Sequence, residues 1–127
     1  MQLTLQLLVG EFSVCRLPAS APCPPWADSH VFSSVTRTGD ELSIICPAIQ
    51  IPAGIKAESG WRGLKLCGPL AFDAVGIMAS VTGPLAQAGI SVLVVGTFDT
   101  DYVLVKAGQL AAAVHALEQA GPTFRPG

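Results

Sequence analysis

Apolar and polar residues alternate from Leu3 through Thr4, Leu5, Gln6 and Leu7, a period of two that predicts a strand with one apolar face. A second short strand is expected after Gly10, with Phe12 and Val14 on one side and Ser13 and Cys15 on the other. Prolines at 18, 22, 24 and 25 then exclude a long helix, leaving room for a single turn around Pro25, Trp26 and Ala27. The runs 31–36 and 41–46 read as strands, and Arg37-Thr38-Gly39-Asp40 between them suits a hairpin. Residues 47–60 hold two prolines and two glycines and predict an irregular connection, followed by a third strand region over 61–70.

The period changes in the second half. Ile77, Val81 and Leu85, flanked by Met78 and Ala88, place one apolar face on a helix that Asp73 can cap and Gly89 can end. Pro84 lies inside that pattern and should remove its bond to Ser80. Residues 90–95 are apolar apart from Ser91 and predict a covered strand; turn chemistry follows over 96–101, and 102–105 resume the strand pattern. Leu110, Val114 and Leu117, with Ala113 beside them, mark a last helix over 109–120, which Gly121-Pro122 stops. A shift of 61 lays residues 36–44 over 97–105, with Thr first, Asp four later and alternate aliphatics beyond. Such a repeat suits two βαββαβ units, here 1–60 and 61–127, in which the proline-rich and 47–60 segments of the first replace its helices.

Composition narrows the function. Charged residues are 13% of the chain, against about 25% in a typical soluble domain. A surface so poor in charge implies an apolar interface, and a homodimer is the expected partner. A net charge of −2 provides no field for nucleic acid or an anionic membrane. No apolar run reaches the roughly 18 residues that span a bilayer, and the first residues lack a basic signal segment, so a soluble, cytoplasmic protein is expected. Cys15, Cys23, Cys46 and Cys67 form no CxxC pair and have no neighbouring His, which argues for reduced structural thiols and no metal. His30 and His115 stand apart from any motif, and no acid, base and nucleophile set assembles, so no catalytic residue and no cofactor is expected. GPLAQAG lacks the lysine of a phosphate loop. Trp26 and Trp61 read as core residues before interface anchors.

The segment VGIMASVTGPLAQAGISVLVVGTFDTDYVLV resembles the second half of small bacterial ACT-domain proteins with two ACT-like units. It is similar also to units of the eukaryotic cytosolic arginine sensor upstream of the mTOR kinase. The likeness is most specific at Gly76-Ile77, Gly89-Ile90-Ser91 and Thr97-Phe98-x-x-Asp101, while Thr38-Gly39-Asp40-Glu41-Leu42-Ser43 with Cys46-Pro47 matches the first unit. The resemblance implies an α/β (α+β) ferredoxin-like fold with antiparallel sheets, no catalysis, dimerisation through sheets or helices, and amino acid binding. Ligand-binding positions carried over are Asp73, Val75, Gly76, Ile77 and Thr97, Phe98, Asp99, Thr100, Asp101.

Chemistry supports that placement. Amides opening a helix near Val75, Gly76 and Ile77 are donors with a favourable dipole for a carboxylate, and Asp99 or Asp101 can accept from an ammonium. The competing role for both aspartates is to satisfy turn amides. Asp40, matched to Asp101 by the repeat, reads as a plain turn residue. The expected function is a non-enzymatic, small-molecule-binding regulator, with a ligand-free dimerisation module as the alternative.

Overall fold

The structure, a computed structural model, describes residues 3–68 and 75–126. In chain order the strands are β1 (Thr4–Leu7), β2 (Phe12–Leu17), β3 (Ser34–Arg37), β4 (Leu42–Pro47), β5 (Lys56–Leu66), β6 (Val92–Gly96), β7 (Asp101–Lys106) and β8 (Thr123–Arg125). The helices are α1 (Ile77–Gln87) and α2 (Leu110–Ala120), and single 3-10 turns occupy Pro25–Ala27, Ala48–Gln50 and Ala107–Gln109. The chain divides into two compact units, Gly10–Trp61 and Met1–Val9 with Arg62–Gly127.

In the first unit the strand order is β3-β4-β2-β5, each neighbour antiparallel. The registers Ser13↔Cys46 and Cys15↔Ile44 put Ser13, Cys15, Ile44 and Cys46 on one face. Cys15, Ala27, Leu42, Ile44 and Cys46 form its buried core, covered by Leu17, Ala21, Trp26, Ile51 and Ile55. Apolar loop residues thus do what helices do elsewhere. Gln50 Nε2 donates to the carbonyls of Trp26 at 3.0 Å and Asp28 at 2.6 Å, pinning the expected single turn against its neighbour loop. Burial, with Cys15 beside it, pushes the Cys46 thiol up to about 11, so both thiols stay protonated and unreactive at neutral pH. Phe12 and Val14 do share the opposite face, but the core-facing residues of β2 are Ser13 and Cys15; Phe12 is buried edge-on to Phe32 at 5.8 Å.

The strand expected from Trp61 begins five residues earlier, at Lys56. Gly60, one of the two glycines that predict an irregular connection over 47–60, is instead taken up as a bulge. Phe12 pairs with Trp61 while Val14 pairs with Glu58, so β5 carries an extra residue, and the φ of +85° at Gly60 fits that position.

The second unit has the order β8-β1-β5-β7-β6. β1 is antiparallel to β5, through Leu5↔Leu66, and parallel to β8, through Leu5↔Phe124. A boundary at residue 60 would leave β1 with the first unit; its hydrogen bonds put it in the second, and alternation in sequence cannot show which strand a strand pairs with. β8 leaves no sign in the sequence pattern, since three residues are too few to display a period. Leu5, Leu64, Leu66, Val81, Leu85, Val103, Val105, Ala113 and Leu117 are the centre of the core between this sheet and the two helices. Mixed α/β elements and a largely antiparallel sheet make the ferredoxin-like fold expected from the resemblance. His30 and His115 are exposed, as their positions off the apolar pattern predict, and Trp61 is buried.

α1 runs through Pro84 and ends in a Schellman motif: Ile90 N–H donates to Leu85 C=O at 2.9 Å and Gly89 N–H to Ala86 C=O at 3.0 Å. Ile90 and Leu85, both buried, supply the apolar contact that accompanies such an ending. Ile90 is therefore spent on the cap, and the strand expected from residue 90 starts at Val92. Gly89 has φ +75° and open space around a would-be Cβ, so Gly89→Val should cost about 1–2 kcal/mol through backbone strain alone. A denaturation midpoint equal to wild type at equal slope would contradict this ending of the helix.

The two hairpins superimpose in sequence at an offset of 59 (Arg37 to Gly96, Leu42 to Asp101), not 61. The single turns after β4 and β7 keep the same offset, Ala48 to Ala107. Thr38 N–H bonds Glu41 C=O at 2.9 Å as Thr97 N–H bonds Thr100 C=O at 2.8 Å. The counterpart of Asp40 is thus Asp99, and the 61-residue match slid one strand along by a full side-chain period, which keeps the alternation and hides the error.

Candidate functional site

In the second unit α1 opens at Gly76, whose φ of +79° and ψ of 2° turn the chain into the helix without a side-chain cap. Asp73, expected as cap and ligand residue, lies outside the described residues. The first bond into the helix runs from Ser80 N–H to Gly76 C=O at 3.0 Å, so the amides of Ile77, Met78 and Ala79 have no acceptor within α1. They face the end of the helix that favours negative charge. Val75, Gly76, Ile77 and Ser80, with Leu3, line a depression of about 170 Å³ there. Its wall is apolar on the side of Leu3, Val75 and Ile77, and Val75 is 95% exposed. Ser80 Oγ donates to Ile77 C=O at 2.6 Å, which keeps the hydroxyl at the rim.

The turn between β6 and β7 holds the other expected residues. Thr97, Phe98 and Asp99 are exposed, Phe98 at 80%. Thr97 organises the turn, its Oγ1 donating to Thr100 C=O at 2.9 Å and accepting from Thr100 N–H at 3.2 Å. The turn is therefore closed by a threonine hydroxyl, and no aspartate hydrogen bond is needed to form it. Thr100 is buried, and its Oγ1 donates to Leu66 C=O at 2.6 Å. That bond ties the turn to the end of β5, from which the chain leads towards α1. Asp101 is half-buried opposite Gly96, where a Cβ would stand 3.3 Å from Asp101 Oδ1. Glycine at 96 leaves the carboxylate its place.

The structure thus gathers Val75, Gly76 and Ile77 around one depression and holds Thr97 to Asp101 in one turn at the β5 end, but the turn residues are not part of the depression's lining. Leu3 and Ser80 line it without having been singled out in the sequence. Ser80 lay three residues after Ile77 on the predicted helix, a spacing that could have found it. Nothing local marks Leu3, which arrives from the other end of the chain. Among the described residues there is no cluster of His, Cys, Asp and Glu able to hold a metal ion, and no helix long and apolar enough to cross a membrane.

A helix pair packed on a largely antiparallel sheet makes the second unit a ferredoxin-like domain. The chain belongs to the ACT domain family, whose model matches residues 56–119; a second family model, describing an N-terminal domain, matches residues 10–54. Subunit 1 of the cytosolic arginine sensor for mTORC1 from Bos taurus is 38% identical over 103 residues, covering 75% of this chain and 31% of the sensor. The chain thus spans about a third of that relative's length. A crystal structure of a protein from Agobacterium tumefaciens is 41% identical, with a TM-score of 0.94, covering 100% of this chain and 95% of that one. The regulatory subunit of aspartate kinase from Thermus thermophilus shares the fold at a TM-score of 0.60 and 12% identity, covering 91% and 93%.

Proposed function

We propose that this protein is a non-enzymatic regulator that binds an amino acid in its second unit and acts in the cytoplasm as a homodimer. The carboxylate of the ligand lies at the amides opening α1, against Gly76, with its apolar part on Leu3, Val75 and Ile77. Asp101 takes the cationic group, Asp99 assists, and Thr97, Phe98 and Thr100 hold that turn. Asp73 stands with Val75 at the same end in sequence. What supports the reading above all is the depression at the start of α1 in a chain of the ACT family. The name of its relative, an arginine sensor, puts arginine first among the ligands to try.

A thermal-shift screen of the amino acids tests this, because a compound that binds only the folded state raises its stability by mass action. At about a hundred times its dissociation constant the ligand should add roughly 2.7 kcal/mol. A flat result across the set would instead favour a ligand-free interaction module. For assembly, the exposed Val75 and Phe98 give apolar surface that a second copy would cover. Light scattering should give a dimer mass at micromolar concentration, and a monomer mass across a dilution series would refute the homodimer.

A further inference from the structure

The open face of the first unit's sheet carries a second group of charged residues that the site above does not use. Three strands contribute. The register Ser43↔Arg16↔Lys56 forms one row across β4, β2 and β5, and Ile45↔Val14↔Glu58 forms the next. By alternation all six side chains lie on the face opposite Cys15, Ile44 and Cys46. Glu41, two residues before Ser43, continues that face at the end of β4. Val14, Arg16, Glu41, Ser43, Lys56 and Glu58 line a groove of about 220 Å³.

Two features of this groove ask for an occupant. Arg16 and Lys56 are direct cross-strand partners, and like charges placed so are destabilising, so a negative group between them relieves the pair. Arg16 is also held in place: its Nη2 donates to Asp40 C=O at 2.8 Å, leaving the rest of a rigid guanidinium fork for a carboxylate. The groove is balanced overall, with two carboxylates against two cations. A plain anion would be drawn to Arg16 and Lys56 but opposed by Glu41; a zwitterion matches both signs.

We propose that this groove is a second ligand site, which takes the zwitterionic head of a free amino acid. The α-carboxylate bridges Arg16 and Lys56, the ammonium meets Glu41, and the side chain lies along Val14. The site belongs to the first unit alone and does not depend on the reading of the α1 site.

The test is an amide chemical-shift titration of the full chain with each common amino acid, repeated with the desamino acid and the decarboxylated amine of any that binds. Shifts at residues 14–16, 41–43 and 56–58 are expected from an amino acid and not from its two truncated forms. Lys56→Met, a change at an exposed side chain, should weaken that response by about tenfold or more, or 1.4 kcal/mol. Asp101→Asn should leave it intact, which separates it from the α1 site. The proposal is overturned if no amino acid moves these amides, if the desamino acid binds as tightly as the amino acid, or if Lys56→Met binds like wild type.

Discussion

Leu5→Ala is expected to lower the stability of the second unit by about 2–5 kcal/mol, the range for removing a fully buried leucine from a close-packed core. Leu5 is 0% exposed, pairs with Leu66 on one side and Phe124 on the other, and packs with Leu64, Leu85 and Leu117. Against a total of about 5–15 kcal/mol for an ordinary domain, that is a large fraction. The measurement is denaturant unfolding of wild type, Leu5→Ala and Leu64→Ala, with amide exchange to locate the loss. Faster exchange at residues 62–66 and 123–125, with 42–46 protected as before, is the expected pattern. A loss below about 0.5 kcal/mol, the size of an ordinary surface change, would show that β1 is not packed as described.

Asp101→Asn should cost the second unit about 2–5 kcal/mol of amino acid binding, since it leaves a desolvated cationic group without its partner. That is a loss of thirtyfold or more. Asparagine keeps the size of the side chain opposite Gly96, and the turn is closed by Thr97 and Thr100, so the unliganded unfolding midpoint should stay near wild type. Asp99→Asn is the informative comparison. Asp99 is exposed at the turn tip and should matter less than half-buried Asp101. Calorimetry with an amino acid found in the screen decides: equal affinity in Asp101→Asn and wild type returns Asp101 to a plain strand-end residue.

Periodicity carried most of the secondary structure, because both helices and most strands have one face in a core. Ile77, Val81 and Leu85, and likewise Ala113 and Leu117, marked their buried faces directly. The misses share a cause. Strand pairing is decided by hydrogen bonds between distant segments, so the place of β1, the bulge at Gly60 and the slip from 59 to 61 in the repeat left no local trace. Half of the candidate site was legible in the same limited sense. Gly76 and the Thr97–Asp101 turn could be named, but the depression owes its far wall to Leu3, and the tie between turn and β5 to the Thr100 hydroxyl.

The position of β1 also sets an order of events when the chain is made. Residues 10–61 contain every strand segment of the first unit, so that unit can close while the remainder is still being synthesised. β1 emerges before any of them, yet its partners are residues 64–66 and 123–125, the latter 119 positions away at the Thr4–Thr123 pair. One edge can pair once residues 64–66 have been made, but the edge that takes β8 stays open until residues 123–125 follow, and closing so long a loop makes that pairing a late, slow step. During that interval the nascent second unit is an aggregation risk, and a chaperone that shields the first residues would raise the yield of folded protein.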